Sequence, residues 1–467
     1  MLIRHEWLSA VLFVGVVGCA SNDATRLTTV EATLDETTED STAPLESRMP
    51  PVGRKLMIIG TQTDAMVGQV TDDAIFVDRL IADVGGKDRL RILVVPGASG
   101  VPTWLHTYLR RVLVTRGVPA RNLELAHVAE VDDSATPDVD ESTWADGAYR
   151  ASEVAKVARA NVVWFAGGDQ SRLVRLLINE DGRDSPLQIA IKTKLAKDDL
   201  IIAGYSAGAA AMSNPMIGGG TSWGALTLPP DPDPACNTDA ICVTRGLGYV
   251  PEEYSVLVDQ HFMQRGRLAR SVRALAVAER KTVWGVDAYT AFYVDLKRKR
   301  AEVVGVPNQG SVAIVGRDGA QQNHERRELP FIGSEYTVSV LAVGDTYELP
   351  DAKDVHGRPR HPNGDEYYEP FSQYYDDMPV FMDAFGKDVL PYGIAAYFAD
   401  GTPLASGPRV DALALTTTEN GDATGFRLRF TADQHSEVAW NEEAGYSMFG
   451  ARLGISTAEA KITGLDP

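Results

Sequence analysis

The sequence is poor in cysteine, in positive charge and in long apolar runs, and each shortage removes a class of protein. Only Cys19, Cys236 and Cys242 occur in 467 residues, so this is no small scaffold stapled by disulfides. The 45 Lys and Arg against 64 Asp and Glu leave a formal charge of −19. That balance argues against general binding to nucleic acid, whose phosphates reward clustered cations. The leading apolar run, Leu8 to Val17, is shorter than the roughly 20 residues a membrane-spanning helix needs. There is no His-Glu-x-x-His, and Gly167-Gly168-Asp169 lacks both a phosphate-loop lysine and dinucleotide glycine spacing. Cys236 and Cys242 lack the further ligands of a zinc site. Nothing in the chain calls for a metal or an organic cofactor.

What is present begins with MLIRHEWLSAVLFVGVVGC, a basic residue followed by a short apolar run and small residues before Cys19. This resembles a bacterial lipobox, and residues 1–19 are expected to be a lipoprotein-type signal peptide with Cys19 as the lipidated residue. Residues 20–53, rich in Thr, Ser, Asp and Glu, have little to bury and read as a disordered tether. The protein is then expected to be exported and held at the cell envelope, on the periplasmic or cell-surface side, by its lipid. A short disulfide between Cys236 and Cys242, in PPDPDPACNTDAIC, is feasible and is useful only in an oxidising compartment.

The length allows two to three domains. From Arg54 onward, RKLMIIGT (54–61), RLRILVVPGAS (89–99), NLELAHVA (122–129), ANVVWFAGGD (160–169) and DLIIAGYS (199–206) have the β-branched apolar composition of strands. DDAIFVDRLIADVG, PTWLHTYLRRVLVTRG, AYRASEVAKVARA and SPLQIAIKTKLAK between them have helical spacing. The alternation predicts an α/β fold, a mostly parallel sheet with helices on both faces and functional groups at the strands' carboxyl ends. A helix over 207–213, a glycine-rich excursion over 214–248, a strand over 255–262, a helix over 266–281 and hairpin-like β structure to 349 complete a domain spanning 54–349. Residues 350–467 read as a small, β-rich C-terminal module of unknown role.

Gly204-Tyr205-Ser206-Ala207-Gly208 fits a nucleophile elbow, where a sharp strand-to-helix turn presents a hydroxyl and turns the Ala207 amide toward a developing oxyanion. A serine needs a base. Of eight histidines, His5 lies in the leader, His106 in a helix and His127 in an apolar strand, while His324, His356 and His361 lie in polar loops. His261 and His435 remain. His261 closes the strand VLVDQHF, whereas the order Ser, acid, late His of an α/β-hydrolase would promote His435.

GYSAGAAAMS, FAGGDQSRL, DQHFMQRGRLAR and GVDAYTA, in that order between about Lys55 and Leu349, together resemble the cyanophycinase branch of the serine peptidases that also include peptidase E. The resemblance implies a class I glutamine amidotransferase-like, flavodoxin-like fold, with a homodimer as a possible assembly. It implies Ser206 as nucleophile, His261 as base and Gly168 as the second oxyanion donor. It also implies a polymer of aspartate with arginine joined through each β-carboxyl, cut to β-aspartyl-arginine dipeptides. Its recognition groups fall on Gln170, Asp259, Gln260, Arg265, Arg267 and Arg270. Such a substrate suits arginine forks for carboxylates and a fixed acid for guanidinium groups. Arg267 and Arg270, i and i+3 off the apolar stripe, are expected to share an exposed face.

One position departs from the family pattern. The glutamate that usually follows the Asp of the G-x-D motif, as third member of the triad, is Ala288 here. Asp287 could replace it only through a local bend, because neighbouring strand side chains face opposite ways. A peptidase for another acidic peptide, or a weakly active or inactive surface binding relative, therefore stands beside the leading reading.

Overall fold

The computed structural model describes residues 52–61, 74–317, 321–322, 329–349, 372–375, 378–381, 384–386, 389–399, 406–417, 422–441 and 444–461. The leader with His5 and Cys19, the tether up to Pro51, and His324, His356 and His361 lie outside the described residues.

In chain order the strands of the first half are β1 (Gly53–Ile59), β2 (Ile92–Val95), β3 (Leu123–Leu125), β4 (Val162–Phe165), β5 (Asp199–Tyr205), β6 (Met216–Gly219), β7 (Cys242–Thr244) and β8 (Val256–Gln260). They are followed by β9 (Thr282–Val286), β10 (Thr290–Asp295), β11 (Arg300–Gly305), β12 (Val312–Gly316), β13 (Gln321–Gln322), β14 (Gly333–Leu341) and β15 (Thr346–Glu348). The chain closes with β16 (Ser372–Tyr375), β17 (Met378–Phe381), β18 (Arg409–Thr417), β19 (Asp422–Thr431), β20 (Glu437–Asn441) and β21 (Gly445–Lys461). The helices are α1 (Ala74–Val84), α2 (Trp104–Thr115), α3 (Ala151–Arg159), α4 (Gln170–Leu177), α5 (Pro186–Ala196), α6 (Ala207–Ala210), α7 (Ser222–Thr227), α8 (Leu268–Ala278) and α9 (Ala395–Ala399).

All five segments expected as strands before Ser206 are strands. They form the parallel run β3-β2-β4-β5-β1, to which β10, β11 and β15 add in antiparallel fashion, so the first sheet is mixed. Both its faces are covered. Leu56 and Ile58 pack into one apolar cluster and Met57 and Ile59 into another, as the two-residue period of a strand requires. The helices start at recognisable caps: the Ser185 side chain accepts the Gln188 amide ahead of Pro186, and Asp169 accepts the Ser171 and Arg172 amides. The helix that Asp169 caps, α4, has no counterpart in the segments expected to be helical.

A second sheet runs β16-β17-β18-β19-β21-β14-β12-β9-β8. Here the sequence reading of a single layer is corrected, because β8 pairs only with β9, and Ser206 and His261 therefore end strands of different sheets. The stretch after Pro350 does not stand apart from this sheet. β21 pairs with β14 on one side and β19 on the other, and Phe426, Leu428 and Phe430 share one core with Leu257, Val272 and Val338. An extended apolar strand needs a neighbour on each edge, and β14 and β21 supply one another's. Residues Pro51–Pro467 form one compact unit.

Candidate active site

Ser206 stands where β5 turns into α6 with φ 53° and ψ −119°, a conformation that side chains rarely adopt. The turn is sharp because the backbone folds closely on itself. A Cβ built at Gly204 would lie 2.8 Å from the carbonyl carbon of Gly208, and one at Gly208 would lie 2.6 Å from the Phe165 carbonyl oxygen. This explains why small residues flank the serine: the strand, the turn and the end of β4 have no room between them for a methyl group.

His261 follows β8 and is also left-handed, at φ 46°. The end of β1 joins the two sheets here. Ser206 N–H donates to Ile59 O at 3.1 Å and His261 N–H donates to Gly60 O at 3.2 Å, so adjacent carbonyls of one strand end hold both residues. A side chain at Gly60 would strike the Val286 and Asp287 carbonyls. The result is a Ser206 Oγ to His261 Nε2 distance of 2.8 Å. Burial, with Arg265 and Arg267 nearby, pushes the imidazole pKa down to about 3, so it is neutral, the form able to act as a base.

No carboxylate hydrogen-bonds to the His261 ring among the described residues. Ala288 is buried, and its N–H donates to Gln264 Oε1 at 3.0 Å. The expectation that Asp287 could reach His261 is corrected. Its Oδ1 accepts Met263 N–H at 2.9 Å, and its Oδ2 accepts Ser311 N–H and Oγ–H at 3.0 and 2.7 Å. Asp287 thus holds the backbone of the turn after His261.

Gly168 has φ 135°, and a Cβ there would overlap the Ala98 carbonyl. Only glycine fits at this point, and the loop passes beside the serine: a Cβ on neighbouring Gly167 would lie 3.1 Å from Ser206 Cβ. Ala207 is the first residue of α6, where amides lack intrahelical acceptors. Gly168 and Ala207 therefore both lie close to Ser206 in the fold.

Ser206, His261 and Gly168 line an open cleft of about 690 Å³ that also takes in Thr61, Ser99, Trp104, Gln170, Gln260 and Arg265. Gln170 Nε2 donates to Gly218 O at 2.6 Å and Ile217 O at 3.3 Å, while Gln260 Oε1 is buried without a partner. Arg265 is exposed, and no ion pair or hydrogen bond engages its side chain among the described residues. The exposed face expected for Arg267 and Arg270 is corrected. They are 7% and 5% exposed and bind Asp259, which is fully buried. Arg267 Nη1 lies 3.1 Å from Asp259 Oδ1, Arg270 Nε 2.9 Å from Oδ2, and Ser271 Oγ–H donates to Oδ2 at 3.0 Å. Burial raises the Asp259 carboxyl pKa, but Arg270 and Arg267 overcome this and hold it below its ordinary value. Asp259 is thus a counter-ion within the wall, its oxygens already engaged. Asp259→Asn strands two buried guanidinium groups and is expected to cost about 3 kcal/mol, read as a lower urea midpoint; an unchanged midpoint would deny the network that role.

His127 stacks on Trp144, and His435 bonds within its own loop. Cys236 and Cys242 are joined as a disulfide. No group of three or more metal-ligating side chains stands together among the described residues. Thr61, Ser99 and Trp104 were not singled out from the sequence. They follow β1 and β2, and the rule that sites gather at the carboxyl ends of parallel strands was a signal that could have found them.

An α/β chain whose serine and histidine meet at 2.8 Å in an open cleft has the makings of a hydrolase. Comparison with known proteins narrows the class. No family model matches the chain. A cyanophycinase of Geminocystis herdmanii is 29% identical over 295 residues, spanning 62% of this chain and 92% of its own length. Cyanophycinases of Trichormus variabilis and Synechococcus elongatus are each 28% identical, over 313 residues (65% of this chain, 89% of theirs) and 268 residues (57% and 71%). Among solved structures, a peptidase from an acI-B1 Actinobacterium has a TM-score of 0.40 at 19% identity, covering 64% of this chain and 97% of that one. A putative peptidase E protein from Listeria monocytogenes EGD-e has a TM-score of 0.32 at 12% identity, covering 54% and 96%. The chain is similar to the cyanophycinases.

Proposed function

We propose that the protein is an exported, cyanophycinase-like serine-type exopeptidase that hydrolyses β-linked aspartyl-arginine polymer to β-Asp-Arg dipeptides. The observation that carries this is the 2.8 Å contact between Ser206 Oγ and His261 Nε2, in a cleft with Arg265 at its side. His261 takes the hydroxyl proton as Ser206 Oγ attacks the amide carbonyl carbon, and the Gly168 and Ala207 amides receive the oxyanion. The imidazolium then protonates the leaving nitrogen, and water attacks the acyl-serine by the same route in reverse. Arg265 is placed to pair with a substrate carboxylate.

Export is supported by the Cys236–Cys242 disulfide. Anchoring through Cys19 completes the reading, and among the described residues no helix is long and apolar enough to cross a membrane. The second reading, a weakly active or inactive surface binding relative, is favoured by Ala288 and by the missing carboxylate at the His261 ring. The purified chain is to be incubated with the insoluble polymer, and dipeptide release followed by mass spectrometry. Soluble β-Asp-Arg is the expected product. Intact polymer together with a Ser206 that labels with a fluorophosphonate would move the reading to another acidic peptide, and failure of both would move it to the binding relative.

A further inference from the structure

The wall of the cleft formed by Gly218, Gly219 and Gly220 has no side chains of its own, yet it carries three hydrogen bonds that order the site. Ile217 O and Gly218 O accept from Gln170 Nε2, and Gly220 O accepts from Arg270 Nη1 at 2.7 Å. Three successive glycines are the most freely rotating backbone a chain can make, so something else must hold them. The contacts identify it. A Cβ at Gly219 would lie 2.6 Å from the Cys236 carbonyl oxygen, one at Gly218 would overlap Cys236 Sγ, and one at Gly220 would lie 2.6 Å from the Ala240 carbonyl oxygen. On the other side Cys242 pairs with Gly219 across the β6–β7 hairpin. The ring closed by the disulfide, residues 236–242, therefore lies flat against the glycine wall.

We propose that the Cys236–Cys242 disulfide is a positioning brace for the substrate-binding wall of the cleft. It fixes the glycine run so that Gln170 and Arg270 keep their places, while the Ser206–His261 pair, held from β1, stands independently of it. Cys236 is half-buried and open to a reductant, whereas Cys242 is buried. A dithiol that cleaves the bond supplies two electrons and two protons, leaves two thiols and becomes a cyclic disulfide itself. The bond is thus a point at which the redox state of the surroundings reaches substrate affinity.

Two measurements test this on the full chain, after reduction and in the Cys236→Ser/Cys242→Ser variant. The first is amide hydrogen exchange, which is independent of any activity. Residues 217–220 are expected to exchange about tenfold faster without the disulfide, with 199–205 unchanged. The second rests on the proposed hydrolytic reading: KM for a soluble oligomer of β-Asp-Arg units is expected to rise about five- to tenfold, while the rate of fluorophosphonate labelling at Ser206 changes by less than about twofold. Gly218→Ala, which pushes on Cys236 with the bond intact, should reproduce the KM effect. Unchanged exchange at 217–220 would overturn the brace, as would exchange rising equally in β5 or labelling collapsing together with KM. If the intact protein cleaves no oligomer of β-Asp-Arg units, the hydrolytic reading fails alone, and hydrogen exchange still decides the brace.

Discussion

Ala288→Glu is expected to raise kcat on oligomers of β-Asp-Arg units by about 10- to 10³-fold, with the acid limb of the pH profile moving upward. The argument starts from the imidazole. With its pKa near 3, His261 is a neutral but feeble base, because proton affinity is what drives removal of the serine proton. In a complete triad a buried carboxylate orients the ring and stabilises the imidazolium, and disabling that acid lowers kcat about 10⁴-fold. Position 288 is buried and flanks the end of β1 that holds His261: Thr61 bridges to Ala288, and Gly60 O accepts the His261 amide. A carboxylate there opposes the burial and the arginines that depress the imidazole, so its pKa must rise. The unsubstituted protein should accordingly keep a level kcat/KM between pH 7 and about pH 5, since His261 stays neutral throughout. The variant should lose activity within that interval as its imidazole takes a proton. An unchanged rate and an unchanged profile would mean that another group already orients His261.

Ser206→Ala is expected to reduce turnover by about 10²- to 10⁴-fold, and His261→Ala by about the same factor, because the two act as one unit. The double variant should be no worse than either alone. Loss of the hydroxyl leaves the Gly168 and Ala207 amides and Arg265 in place, so KM should change little while kcat falls. This separation is what distinguishes the loss of a nucleophile from a disturbed fold. Alanine keeps the Cβ and therefore the same turn, so Ser206→Ala should be about as stable as the parent, which a urea titration checks in the same preparation. Turnover persisting in Ser206→Ala would remove the serine from the reaction.

Local chemistry was legible in the sequence, and long-range pairing was not. The strands through β5, the elbow at Ser206 and the choice of His261 over His435 all rest on residues within a few positions of one another. The two catalytic candidates do meet, at 2.8 Å. They meet across two sheets, however, because β8 pairs with β9 and not with β5, and the end of β1 links the two, a relation that no periodicity records. Arg267 and Arg270 were misread for the same reason. Helical spacing put them off the apolar stripe, but Asp259 on β8 and the Gly220 carbonyl cover that flank. The joining of β21 to β14 brings Tyr336 opposite Leu453, a partnership invisible to any short window. The rim glycines carried a signal that was left unused: three in a row beside two cysteines announce a backbone that something must brace.

The account depends above all on an activated hydroxyl at position 206, and covalent capture tests this most directly. The purified chain is to be treated with a serine-directed fluorophosphonate and the adduct located by peptide mapping. The account predicts one modified residue, Ser206, in the peptide containing GYSAGAAAM, with labelling much slowed in His261→Ala. An adduct elsewhere, or labelling of Ser206 that ignores the loss of His261, would contradict it.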